Sequence, residues 1–277
     1  MVERIALISE VYPEGYHALV DDLGEAVDAG ARLAVLPECP AQAWAPGRDR
    51  PDDVDAEPAG GTRESWQASA ASTAGIALLG GGIERCPDGR RRNAAVLWDE
   101  AGVERLRYHK IHIPDEPGFR EAAHYEPGLS APSVVEIAGL RIGVQICSDN
   151  QRPDGAMMLA AQDADCILNP RATEVGLLDR WKTIWRANAM VTGCWILSPN
   201  RPRPEPGTPL GGPSIAVDPR GEIRLESTAK ISLVEVDPEA VAEARNAYPG
   251  YLAIPAETYA TGWRSMPSRA ARPIPEP

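Results

Sequence analysis

The sequence predicts an α/β protein with helices outside and sheets inside. Three observations carry that prediction. Short, nearly continuous apolar runs such as "RLAVL" and "CILNP" read as strands buried on both faces. Strand and helix alternate in two separate stretches of the chain, the pattern of parallel sheets covered by helices. Between and after those stretches, paired apolar runs joined by turn residues read as antiparallel hairpins.

The elements follow in order. "RIALI" at 4–8 reads as a strand. In the next segment Tyr16, Leu19, Val20, Leu23, Ala26 and Val27 recur at helical spacing, and Gly30 is a plausible stop. "RLAVLPE" is a buried strand, and a loop rich in Pro, Gly and Asp runs to about residue 61. Thr62 can cap a helix ending near Ala74. "GIALLGGGIE" and "NAAVLWDEAG" read as two strands, the second closing in a turn at Asp99–Gly102, and "RLRYHK" as a third. A long irregular segment, 111–132, precedes the hairpin formed by "SVVEIAG" and "LRIGVQIC". Then come a helix in "PDGAMMLAAQDAD", the strand "CILNP", a helix in "DRWKTIWRANAMVTG" and the strand "CWILSPN". "SIAVDPRGEIRLE" is a hairpin whose Asp218-Pro219-Arg220-Gly221 suits a type I turn. After the strand "ISLVEV", Asp237 can cap a helix with Pro238 at its first position. From about residue 249 the Pro-rich tail reads as extended. No linker divides the chain, so residues 1–277 are expected to form a single domain.

Composition narrows the function. Hydrophobic residues make up 43% and charged residues 25%, a globular mixture. A formal net charge of −12 argues against general nucleic-acid binding and against docking on anionic membranes. The first residues carry Glu3, Glu10 and Glu14 and lack a long apolar run, so no signal peptide is expected. No apolar stretch is long enough to suggest a membrane span. The five cysteines form no CxxC pair and the four histidines no HExxH pattern, so neither a disulfide framework nor a zinc site is indicated. The expected compartment is the reducing cytoplasm.

Three apolar strands end on residues with chemistry. Glu38 follows "RLAVLP", Lys110 follows "RLRYH", and Cys147 follows "RIGVQI". Ligand sites collect at the carboxyl ends of parallel strands. A carboxylate, an ammonium and a thiol are a base, an electrostatic stabiliser and a nucleophile. Singly, each has an ordinary reading as well: Cys147 as a core cysteine, Glu38 as a loop carboxylate and Lys110 as a surface lysine.

The three together have a familiar form. "LAVLPE", "YHKIHIPDEPGF" and "GVQICSDNQRP" resemble, in order and separation, the three signature segments of the nitrilase superfamily, the carbon–nitrogen hydrolases. "GGGIER", "EPG" at 126–128, "NPRAT" and "GGPSIAVDPRGE" add to a resemblance that covers roughly residues 3–240. It implies a four-layer α-β-β-α sandwich, assembled as a homodimer or higher oligomer. It implies no cofactor and no metal, and a small amide or N-carbamoyl compound as substrate. Glu38 corresponds to the general base, Lys110 to the lysine and Cys147 to the nucleophile. Glu121, in "GFREAAHYEPG", falls where many members carry a second glutamate that helps position substrate. The backbone N–H of Ser148 is the simplest oxyanion donor beside Lys110.

Within the family, Asp149 stands where true nitrilases tend to have Glu, as in amidase and carbamoylase branches. Ser148 replaces a usual aromatic residue. Asn150 and Gln151 do not supply the paired arginines expected of N-carbamoyl-D-amino-acid hydrolases. Arg171 is unusual in its segment: it is either a surface arginine paired with Glu174 or a pocket residue for a substrate carboxylate. Trp44 is either a pocket wall or simple packing. A nitrilase, an acyltransferase and a catalytically silent binding protein on the same fold remain the alternative readings.

Overall fold

The structure is a computed structural model and describes residues 1–13, 15–43, 47–205 and 207–267. In chain order the elements are β1 (Glu3–Ile8), α1 (Tyr16–Asp28), β2 (Leu33–Val35), β3 (Ala56–Glu57), α2 (Thr62–Ala74), β4 (Ala77–Arg85), β5 (Arg91–Trp98) and β6 (Glu104–His109). There follow β7 (Val134–Ile137), β8 (Leu140–Val144), α3 (Pro153–Ala161), β9 (Cys166–Leu168), α4 (Leu178–Thr192) and β10 (Trp195–Ser198). The last are β11 (Ser214–Val217), β12 (Ile223–Ser227), β13 (Ile231–Val236), α5 (Pro238–Asn246) and α6 (Ala256–Ser265).

Among the described residues the strands form two mixed sheets. The first has the order β13-β1-β2-β4-β5-β6, with β3 beside β4; the second has the order β12-β11-β10-β9-β8-β7. In the first, β1, β2 and β4 run parallel. In the second, β8, β9 and β10 do. The two alternating stretches of sequence are therefore the two parallel centres, and the hairpins supply the antiparallel flanks.

Side-chain alternation builds the layers. On one face of the first sheet, Ile8, Ala34, Leu36, Leu78 and Val96 pack against Leu19, Leu23, Ala70 and Ala71 of α1 and α2. On the other face, Leu7, Val35, Leu79 and Leu97 join the larger core with Ile142, Val144 and Ile196 of the second sheet. Helices α3 and α4 close the far side, with Trp181 and Trp185 stacked at 5.3 Å. Gly143 is needed there, because a Cβ would lie 2.4 Å from the Leu159 side chain of α3. The result is the expected α-β-β-α sandwich.

Two expectations change. Gly61, not Thr62, is the N-cap of α2; it adopts an extended conformation and Thr62 is the first helical residue. The tail is not wholly extended, since residues 256–265 form α6. Its prolines flank that helix instead of interrupting it: Pro255 is its N-cap, while Glu257 and Arg264 complement its dipole. Helix α6 buries none of its residues, and Tyr259, Trp263 and Met266 are exposed. Tyr259, Trp263 and Met266 do recur at helical spacing, but the prolines on either side mask that short period in the sequence.

Candidate active site

The site lies between the sheets. Glu38 and Lys110 come from the first sheet and Cys147 from the second. Each reaches its place through backbone pairing that runs past the regular strand. Leu36 N–H bonds to Leu79 O beyond β2, and Lys110 N–H to Asn93 O beyond β6. Gln145 N–H bonds to Leu168 O and Cys147 N–H to Pro170 O beyond β8. Lys110 is also pinned through its carbonyl, which accepts the Gly128 N–H at 2.7 Å. A Cβ at Gly128 would sit 2.4 Å from the His109 carbonyl oxygen, so the "EPG" turn requires glycine.

Lys110 is fully buried. Its ammonium lies 2.8 Å from Glu38 Oε1, and 2.9 and 2.6 Å from Glu121 Oε1 and Oε2. Burial alone would lower its pKa, but the charges of Glu121 and Glu38 outweigh burial and raise it well above the ordinary value. It is therefore a fixed cation. Glu121 is pushed up to about 8, first by burial and also by the charge of Glu38, against the pull of Lys110. Glu38 Oε1 accepts a second bond, from Asn93 Nδ2 at 2.6 Å. Its other oxygen, Oε2, is buried and has no hydrogen-bond partner among the described residues.

Cys147 opens a short 3-10 turn, Cys147–Gln151, with φ of 44°. That left-handed conformation is strained for a residue with a Cβ, and such strain concentrates at functional sites. The thiol is buried. Burial, then the Glu38 charge, push its pKa up; Lys110 and the N–H that Ala172 donates to the sulfur act in the opposite direction. In the turn, Asp149 N–H makes the first bond back to Ile146 O, so the Ser148 N–H precedes the hydrogen-bonded ladder. The Ser148 hydroxyl donates to His112 O.

Asp149, noted in the sequence as a branch marker, also has a structural place. Fully buried, it ties the lysine segment to the Cys147 turn. Its Oδ1 accepts the N–H groups of Ile111 and His112 at 3.1 and 2.8 Å, and contacts His112 Nδ1 at 2.9 Å. Its Oδ2 accepts the Tyr108 hydroxyl at 2.8 Å and the Ile146 N–H at 3.2 Å. Burial and the Asp149 charge hold Tyr108 far above its ordinary pKa, so it remains a donor. Asn150 is likewise structural: it donates to Gln145 Oε1, and Asn188 donates to it.

Arg171 corrects the surface reading. It is neither on the surface nor paired with Glu174. Its guanidinium is buried, bonded to Ser198 Oγ, Thr173 Oγ1 and Pro213 O, and it stacks 4.9 Å from the Trp185 ring centroid. The reason lies in the pairing of distant segments: Arg171 pairs with Asn200 in a parallel bridge that prolongs β9 and β10, and its side chain packs beneath α4 against Trp185. Trp44 lies outside the described residues.

Sequence reasoning missed three residues that hold the site. Asn93 fixes Glu38, and its only signal was a lone amide in the apolar run of β5. Asn169 donates to the carbonyls of Gln145 and Cys147 at 2.7 and 3.2 Å. Arg201, fully buried, donates to the carbonyls of Glu38, Cys39 and Gln42 and pairs with Glu205.

Among the described residues, Glu84, Cys86 and His109 offer ligand atoms within 4.8 Å of one another. They sit on the opposite face of the sheet from Lys110, since consecutive strand residues alternate. Glu84 is already engaged there, by His109 Nε2 at 2.8 Å and Arg107 at 2.9 Å. The same carboxylate oxygen meets both, so the cluster is already tied into an ion-pair network with Arg107.

A two-sheet sandwich holding a buried Glu-Lys-Cys constellation at its strand ends defines a carbon–nitrogen hydrolase. The chain belongs to that family: the carbon–nitrogen hydrolase family model matches residues 6–246. It is 29% identical over 240 residues to a hydrolase of Mycobacterium tuberculosis, covering 80% of this chain and 84% of that protein. It is 26% identical over 252 residues to an omega-amidase of Xenopus tropicalis, covering 88% and 90%. The crystal structure of a carbon–nitrogen hydrolase from Helicobacter pylori superposes with a TM-score of 0.85 at 21% identity, over 96% of this chain and 99% of that one. Among the described residues no helix is long and apolar enough to cross a membrane.

Proposed function

We propose that the protein hydrolyses a non-peptide C–N bond in a small amide or N-carbamoyl compound through a Cys147 thioester. The observation that carries this reading is the unpartnered, buried Oε2 of Glu38, in a site where every other charged oxygen is bonded. A buried carboxylate oxygen without a donor is a proton acceptor in waiting. It takes the proton of Cys147, and the thiolate attacks the substrate carbonyl carbon. The oxyanion is met by the Ser148 N–H and by the Lys110 ammonium, which exchanges one of its two bonds to Glu121 for it. Glu38 returns the proton to the leaving nitrogen, ammonia or an amine departs, and the acyl thioester remains. Glu38 then activates water to release the acid. Glu121 holds Lys110 in place.

Amides are favoured over nitriles, a reading supported by the amidase relative and by the sequence motif around Asp149. The test is an ammonia-release screen across ω-amides, aliphatic amides, N-carbamoyl amines and matching nitriles, with mass spectrometry of the protein during turnover. An acyl adduct on Cys147 with amide substrates is the expected result. Hydrolysis without an adduct on Cys147, or equal kcat/KM for a nitrile and its amide, overturns it.

A further inference from the structure

The segment Pro170-Arg171-Ala172 is where nucleophile and base meet. Pro170 O accepts the Cys147 N–H, and Ala172 N–H donates to the Cys147 sulfur. Arg171 O lies 3.4 Å from the Glu38 N–H and 3.3 Å from the Arg201 N–H. The Arg171 side chain itself is fully enclosed. Its hydrogen-bond partners are two hydroxyls and a carbonyl, and its remaining neighbour is an indole face. Among the described residues, no carboxylate pairs with it. Burying a charge without a counter-charge is costly, and proteins rarely keep such an arrangement without a use for the field it creates.

The charge balance of the site supplies the use. Glu38, Glu121 and Lys110 are the titratable groups acting on Cys147. With its pKa raised to about 8, Glu121 is mostly protonated at neutral pH, so the negative charge that Lys110 balances is that of Glu38. Moving the thiol proton to Glu38 shifts that charge onto the sulfur and later onto the tetrahedral oxygen. A cation just behind the Cys147 turn stabilises it there. We propose that Arg171 is this supporting cation: a buried, carboxylate-free guanidinium, fixed behind the residues that bracket Cys147, which favours the thiolate and the oxyanion without touching substrate. Burial lowers its pKa to about 9, which still leaves it protonated at neutral pH, and among the described residues the titratable group that acts on it is Cys147. This inference rests on the reading of Cys147 as nucleophile.

The test is the pH dependence of Cys147 alkylation by iodoacetamide, followed by mass spectrometry in Arg171→Met, Arg171→Lys and wild type. The expected result is a midpoint about one pH unit higher in Arg171→Met, roughly tenfold slower alkylation below it, and a near wild-type midpoint in Arg171→Lys. With an amide substrate, kcat should fall at least tenfold in Arg171→Met with KM within threefold. An unchanged midpoint in folded Arg171→Met overturns the proposal, because a residue that only packs would lower thermal stability and leave the titration alone. If Arg171→Met does not fold, Arg171→Gln, which keeps a neutral N–H donor, is read by the same criterion. A wild-type Cys147 that resists alkylation at every pH, while Cys147→Ala retains activity, would overturn the nucleophile reading and this proposal with it.

Discussion

Asn93 Nδ2 lies 2.6 Å from Glu38 Oε1, and this bond decides which carboxylate oxygen remains free for chemistry. With Lys110 on the same atom, Oε1 is committed and Oε2 is not. Asn93→Ala is expected to leave Glu38 able to rotate. Losing a hydrogen bond to a charged group costs about 1.5–3 kcal/mol, or roughly 10- to 100-fold in kcat. Steady-state kinetics with any accepted amide checks this; unchanged kcat would mean that Lys110 alone orients the base.

Cys147→Ala is expected to abolish hydrolysis by several orders of magnitude with the fold retained. Cys86, Cys166 and Cys194 should each tolerate Ser without comparable loss of activity. Cys39 sits beside Glu38 with φ of 49° and its thiol 3.6 Å from Asn93 Oδ1, so Cys39→Ala should show a smaller but measurable drop. Circular dichroism and ammonia release on the purified variants separate folding from chemistry.

Asp149→Ala should be among the most destabilising single changes. It strands three backbone N–H groups and the Tyr108 hydroxyl in a buried place. Breaking such a network costs about 3 kcal/mol or more. Tyr108→Phe, which removes one donor, should cost about 1 kcal/mol. Denaturant unfolding of both variants tests the ranking; a Tyr108→Phe loss equal to that of Asp149→Ala would contradict it.

The Glu84 network gives a pH signature. Its hydrogen bond with His109, helped by the charges of His109 and Arg107 and opposed by burial, brings the Glu84 carboxyl down to about 2 from 4.5. A carboxyl depressed by folding stabilises the protein above its unfolded pKa, and that contribution is lost as pH falls through the folded value. Wild type should therefore be more stable than Glu84→Gln at neutral pH, by a few degrees in Tm. The gap should close between about pH 4.5 and 2. A gap that is constant across that range would show that Glu84 acts by shape and not by charge.

The sandwich was legible because its parallel centres bury β2 and β9 on both faces, which leaves unbroken apolar runs. Glu38, Lys110 and Cys147 were legible because strand ends place them, and strand ends can be read from the pattern. Arg171 was not. Its side chain direction depends on the bridge to Asn200, a contact between distant segments that no local period encodes. Asp149 was noticed for its identity, while its five contacts come from β6, the segment after it and the nucleophile turn. Helix α6 escaped notice because prolines dominate its surroundings and nothing in it is buried.

The constellation draws Glu38 and Lys110 from one sheet and Cys147 from the other. Synthesis delivers the first two long before the third, and the strand that closes the first sheet, β13, comes after all of them. A nascent or half-unfolded chain can thus carry the thiol or the charged pair, but not the two in register. Assembly of the three groups becomes a late event that reports completion of the whole sandwich.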